Sequence, residues 1–180
     1  STDLYLTHYL NDSANDPVMN RIRAQKLRNS EEDKVKIFFV PSYLNGDDGV
    51  FNMPYYDLLV GMDLTAFPSY YEPWGYTPLE SLAFKVPTIT TTLAGFGLWV
   101  KEHYNMNHPG IEVIHREDGD ASNVATAIAE WVKNYTQVGE TEMQKDRDNA
   151  KDVSRIALWD NLINYYKQAY TIALNQVSER

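Results

Sequence analysis

The chain has 180 residues, enough for one domain with a real core, and 43% hydrophobic against 23% charged residues is an ordinary globular balance. Its 16 Lys and Arg stand against 25 Asp and Glu, a net charge of -9 with no basic block, which argues against a nucleic-acid partner. The absence of cysteine excludes disulfides, thiolate chemistry and cysteine–zinc sites.

The four histidines, His8, His103, His108 and His115, show no HExxH-like spacing, so no metal site is expected. The longest apolar runs fall well short of the ~18 residues that span a bilayer, so no membrane partner is expected. With no N-terminal methionine and no apolar leader core, a cytoplasmic location is expected, and Ser1 points to a chain that begins partway through something larger.

In chain order, Asp16-Pro17 opens a helix by cap and first-turn proline, with Val18, Met19 and Ile22 on its apolar side. "VKIFFV" (35–40) has the continuous apolar character of a buried parallel strand, and "DLYLTHYL" near the start offers a fifth. "NGDDG" (45–49) is turn chemistry. "MPYYDLLVG" (53–61) reads as a short helix ending at Gly61, and "DLTAFPS" (63–69) as the next strand. A helix from Thr77 to about Lys85 precedes a strand at 86–92, "VPTITTT". "AGFGLWVKEH" (94–103) is a glycine turn leading into a helical piece, and "GIEVIH" (110–115) is another strand. Val124, Ile128, Trp131, Val132 and Tyr135 then recur at helical spacing. "GETEMQKDRDNAKDVSR" is expected to be exposed, and a last helix carries Trp159, Leu162, Ile163, Tyr166 and Tyr170 on one face.

Short strands alternating with helices predict an α/β fold, a Rossmann-like doubly wound parallel sheet of four or five strands. In such sheets ligands bind where strand carboxyl ends lead into helix N-termini. "FPSYYEPWGYTPLE" (67–80) belongs at such a place. Its prolines and Gly75 rule out a regular interior, while Thr77, Pro78 and Glu80 fit the N-cap, first position and third position of a capping box. Free N–H groups around Gly75, Tyr76 and Thr77, with the positive end of the helix dipole, suit phosphates and sugar hydroxyls. Gly75 lets a ligand approach the backbone. No GxGxxG or Walker sequence is present, so spacing alone does not name the nucleotide.

Residues 67–80, together with "PTITTTLAGFG" (87–97) and "MPYYDLLVGMDLTAFPSYY" upstream, closely resemble the C-terminal nucleotide-sugar domain of the glycogen synthases of animals and fungi. The resemblance is good over roughly 35 to 103, and Glu72 and Glu80 fit the E-x7-E signature of retaining glycosyltransferases built from two Rossmann domains. It implies that the whole stretch 1–180 is a nucleotide-sugar-binding domain, incomplete at its N-terminus, with C-terminal helices over about 140–178. It implies UDP-glucose as donor, glycogen or a maltooligosaccharide as acceptor through a preceding domain, no cofactor and no metal.

By the same resemblance Glu72 is the catalytic carboxylate beside the donor sugar. Gly75, Tyr76 and Thr77 surround the sugar and phosphates, Tyr55 and Tyr76 contact the uridine, and Glu80 bonds the ribose hydroxyls. Trp74, inside the motif, has two readings, substrate contact and packing. Of Tyr55 and Tyr56 only one can face the cleft, one of Tyr70 and Tyr71 is expected to point into the core, and Gly95 and Gly97 read as turn glycines.

The chain departs from the family pattern in lacking the Arg and Lys that hold the diphosphate. Nothing basic lies near 72–80, and Lys85 sits toward the far end of that helix. Eukaryotic members respond to glucose 6-phosphate through an arginine-dense helix. Here the corresponding stretch has only Lys145, Arg147, Lys151 and Arg155, interleaved with Asp146, Asp148 and Asp152, so little activation is expected. The chain alone is expected to fold without transferring glucose. Other readings are another retaining nucleotide-sugar glycosyltransferase of this architecture and a non-catalytic carbohydrate- or nucleotide-binding module. A glycoside hydrolase is disfavoured, because its carboxylate pair comes from distant chain segments.

Overall fold

The structure, a computed structural model, describes residues 5–104 and 110–178. His108 and the first two residues of "DLYLTHYL" lie outside them. The chain divides into two compact units, one through Leu58 and one from Leu59 onward.

In the first unit, Asp16 caps α1 (Pro17–Ala24) by accepting a bond from the Met19 N–H at 2.9 Å, with Pro17 in the first turn. Met19 and Ile22 bury beside Tyr5, whereas Val18 is exposed. The expected strand at 35–40 does not form. Phe39 makes one parallel bridge to Leu6, while Val35 and Phe38 stay exposed. The reason is local: the Asn29 side chain accepts from the Ile37 N–H at 2.9 Å and donates to its carbonyl at 2.7 Å, taking the place of a neighbouring strand. The 45–49 turn is as expected, with the Asp48 carboxylate accepting from the Val50, Phe51 and Asn52 N–H groups. The short helix α2 (Tyr55–Leu59) follows.

The second unit is built on a three-stranded parallel sheet in the order β1 (Thr65–Ala66), β2 (Thr88–Thr91), β3 (Ile111–Ile114). Thr88 pairs with Thr65 on one side and Ile111 on the other, so β2 is central, and all four of its residues are buried. The parallel α/β class holds, with three strands among the described residues rather than four or five, since 35–40 contributes none.

Helices cover both faces. On one, α3 (Tyr76–Ala83), α4 (Gly95–His103) and α6 (Glu140–Ile156) bury Leu82, Phe96, Val100, Ala150 and Val153 against Ile111 and Val113. On the other, Val124 of α5 (Ala121–Tyr135) packs with Ile89 and Ile114. The alternation along β3 sends Ile111 and Val113 to one core and Ile114 to the other.

The polar stretch 139–155 is not simply exposed, since α6 buries Asp146, Ala150, Val153 and Ser154. Positions 146, 150 and 153 share a helix face, but a small residue and an aspartate hide that face from an apolar-periodicity reading. The last helix, α7 (Trp159–Ser178), half-buries Leu162 and Ile163, but Trp159, Tyr166 and Tyr170 are exposed.

Candidate functional site

Residues 67–75 link β1 to α3 along the carboxyl ends of the strands. Phe67 extends the pairing, its N–H donating to the Ile89 carbonyl at 2.8 Å. Glu72 then forms a parallel bridge with Ala94, its N–H bonding the Leu93 carbonyl at 3.1 Å and its carbonyl accepting from Gly95 at 3.0 Å. The Trp74 carbonyl accepts from the Phe96 N–H. The loop is therefore seated on the first turn of α4.

This seating explains Gly95 and Gly97, which lie inside α4 and are not turn glycines. A Cβ on Gly95 would stand 2.1 Å from the Pro73 carbonyl oxygen, and one on Gly97 2.4 Å from that of Thr91. Both positions require close backbone approach.

The start of α3 also differs from expectation. Gly75 is the N-cap, at φ 103, and Thr77 and Pro78 are the second and third helical residues. The Thr77–Glu80 capping box is therefore absent. Gly75 can take the left-handed conformation that places the helix start two residues earlier, and it supplies no side-chain cap. The first-turn N–H groups of Tyr76 and Thr77 consequently have no intrahelical partner. Tyr76 and Glu80 are four residues apart on one helix face, Tyr76 exposed and Glu80 half-buried.

Glu72 is half-buried, and its Oε2 accepts from the Ser69 hydroxyl at 3.0 Å. A Cβ on Gly75 would lie 3.3 Å from the same oxygen, so the carboxylate stands over the glycine that opens α3. Glu72, Gly75 and the α3 start are thus brought together. Trp74 packs edge-on against Phe96 at 5.6 Å and against Trp99 at 5.7 Å, as its packing reading requires. Its ring also lines a cavity of about 580 Å³, with Tyr76, Trp99, Trp159 and Tyr166 among the other walls. Neither Tyr70 nor Tyr71 enters the core; they are 65% and 81% exposed. Tyr55 belongs to the first unit, where it is half-buried and 5.3 Å from Tyr56 ring to ring.

Sequence reasoning missed Arg116. It sits two residues beyond β3 and is 4% exposed, its Nη1 donating to the Pro68 carbonyl at 2.6 Å and its guanidinium lying 3.6 Å from the Tyr70 ring centre. The available clue was its position, a basic residue just past the carboxyl end of a parallel strand, where such sheets place ligand-site residues. Lys85, by contrast, is paired with Asp148 at 2.7 Å.

The fold and this loop define an α/β unit with a candidate site at the carboxyl ends of a parallel sheet. The sequence model of the family described as glycogen synthase matches residues 3–179. The chain is 30% identical over 174 residues to "Glycogen [starch] synthase isoform 1" of Saccharomyces cerevisiae, covering 95% of this chain and 25% of that protein. It is 34% identical over 167 residues to "Glycogen [starch] synthase" of Caenorhabditis elegans, and 30% identical over 171 residues to "Glycogen [starch] synthase, liver" of Mus musculus. These alignments cover 91% and 94% of this chain and 25% and 24% of those proteins, so it spans about a quarter of the length of the relatives it matches. The chain belongs to the glycogen synthase family.

Proposed function

We propose that residues 1–180 form part of the nucleotide-sugar-binding domain of a retaining glycosyltransferase that moves glucose from UDP-glucose to an α-1,4-glucan. The observation that carries this reading is the Glu72 carboxylate, held by Ser69 above Gly75 at the start of a helix without a side-chain cap. A carboxylate there can hold a sugar hydroxyl and support positive charge on the ring as the diphosphate departs. The Tyr76 and Thr77 N–H groups and the α3 dipole stabilise the phosphate charge that develops at the same moment.

Glu80, one turn into α3, accepts ribose hydroxyls, and the Tyr76 ring offers a face to the base. Tyr55 is assigned to the uridine, Gly75 to close backbone approach and Trp74 to the wall behind the sugar. No metal or cofactor is assigned to the reaction, and the compartment proposed is the cytoplasm. Among the described residues no helix is long and apolar enough to cross a membrane.

Replacing Glu72 by alanine in the intact protein tests the assignment. Turnover with UDP-glucose and glycogen should fall strongly while UDP affinity changes little, because the partner of Glu72 is the sugar. Transfer within about threefold of wild type, worth under ~0.7 kcal/mol, would remove Glu72 from the chemistry.

A further inference from the structure

We infer that Arg116 and Ser69 act together as positioning residues for the Glu72 carboxylate, an inference that rests on the donor-site reading above. Three strand exits meet at this point. Arg116, beyond β3, donates through Nη1 to the Pro68 and Ser69 carbonyls at 2.6 and 3.4 Å, both beyond β1. Thr91, at the end of β2, donates its hydroxyl to the same Ser69 carbonyl at 2.9 Å. Thr92 ties Arg116 itself, its Oγ1 accepting from the Arg116 N–H at 2.9 Å. Ser69 is thereby fixed through its backbone, and its hydroxyl reaches Glu72 Oε2 at 3.0 Å. The backbone of Glu72 is meanwhile held by Leu93 and Gly95. With Oε2 engaged, the other carboxylate oxygen has no partner among the described residues and can take a substrate hydroxyl.

The energetics separate this role from plain stabilisation. Arg116 is 4% exposed, yet among the described residues it has no carboxylate partner, and its Nε is buried without a hydrogen bond. Two carbonyls and the Tyr70 ring are its compensation. A buried cation so incompletely paired is a poor device for stability alone. Nη1 alone reaches both successive carbonyls while the flat guanidinium lies over the Tyr70 ring, a stacked placement that a lysine point charge does not reproduce. Small displacements of a catalytic group cost large factors in rate, so a rigid anchor behind Glu72 has a kinetic use.

The experiment measures kcat, KM and Tm for the intact protein with UDP-glucose and glycogen. Arg116→Lys and Ser69→Ala should each lower kcat about tenfold with KM for UDP-glucose within about twofold, the pattern of a lost transition-state interaction. Ser69→Thr, which keeps the hydroxyl, should recover to within about threefold of wild type. The double variant should lose no more than about threefold beyond the worse single, since both changes act on one carboxylate. Lower Tm with kcat within about twofold, or fully multiplicative losses, would overturn the inference. If Glu72→Ala cripples turnover and Arg116→Lys does not, this inference alone fails. If Glu72→Ala leaves turnover intact, the donor-site reading fails and takes the inference with it.

Discussion

The 67–76 loop and α7 are both crowded with aromatic rings, yet they are held in opposite ways. In the loop, the backbone of Phe67, Glu72 and Trp74 is bonded to β2, the β2–α4 connection and the first turn of α4, and Arg116 grips Pro68 and Ser69. Along α7, every described side chain beyond Ile163 is exposed, including Tyr165, Tyr166 and Tyr170. The rings do not make the difference, because Tyr70, Tyr71 and Tyr76 in the loop are also exposed. What sets the loop apart is a backbone tied to all three strand exits. Aromatic richness marks surface that can be covered or bound, whereas such a tied backbone marks a site built to hold a geometry.

The largest effect this comparison predicts concerns activity without the rest of the protein. A fixed loop should bind nucleotide but not transfer glucose, because transfer needs an acceptor held in line, and orientation of that kind can supply several kcal/mol. The chain, incubated with UDP-glucose and glycogen, should release UDP at well under a tenth of the rate of an intact relative. It should also bind UDP-glucose, weakly, in preference to a maltooligosaccharide. Release within about tenfold of the intact enzyme would show that the chemistry is assigned to the wrong parts, and a preference for the glucan would show that the loop is not the donor site.

Next in size is the seating of the loop on α4. Alanine at Gly95 puts a methyl 2.1 Å from one backbone atom and 3.0 Å from another, both of Pro73, so the loop or the helix must move. Overpacking against rigid backbone should cost about 3 kcal/mol in urea unfolding. Tyr170→Ser on exposed α7 should stay within about 0.5 kcal/mol. Similar costs at the two positions would erase the contrast between loop and helix.

How far the sequence reveals this contrast can be read at particular residues. The motif at 67–80, the central strand at 86–92 and the Asp16 cap are visible because each is a local pattern with a local cause. Arg116 is not visible as a clamp, since its partners are 47 and 48 residues away and only the strand order brings them near. The start of α3 is misread because Thr77-Pro78 imitates a cap while the left-handed Gly75 takes that role earlier. The 35–40 stretch has a strand's composition, but the Asn29 side chain satisfies Ile37 and no sheet forms around it.

A smaller effect belongs to α6. Asp146 is buried with Oδ1 unpaired among the described residues, and burial, aided by the Glu142 charge, raises its carboxyl above the usual range against the opposing pull of Lys145. With a folded pKa above the unfolded one, the folded state binds more protons. The Asp146 contribution to stability is therefore most favourable below the ordinary value of 3.8 and is lost as pH rises through the raised value. Asp146→Asn should stabilise the chain by roughly 1 kcal/mol at neutral pH, with the gain fading in acid. Equal destabilisation at both pH values would show that the carboxylate is satisfied after all.

The smallest expected effect is a near-absence of response to glucose 6-phosphate, and α6 gives the reason. Arg147 pairs with Asp63 at 3.0 Å and also donates to the Met62 carbonyl at 3.1 Å, so its guanidinium is used in fastening α6 to the segment before β1. Arg155 is bound to Asp152 at 3.1 Å, and Lys145 faces Glu142 at 3.9 Å. A phosphate needs clustered guanidinium groups free of nearby carboxylates, and these pairs would have to be broken before any cluster formed. Exposed pairs such as Arg155–Asp152 are weak, about 0.2–1 kcal/mol, but their carboxylates would still repel an incoming phosphate. Adding glucose 6-phosphate to the intact protein should change transfer by less than about twofold, under ~0.4 kcal/mol. A larger activation that disappears in Arg147→Ala and Arg155→Ala variants would mean that α6 surrenders its own carboxylates to bind phosphate, and that it is an effector site.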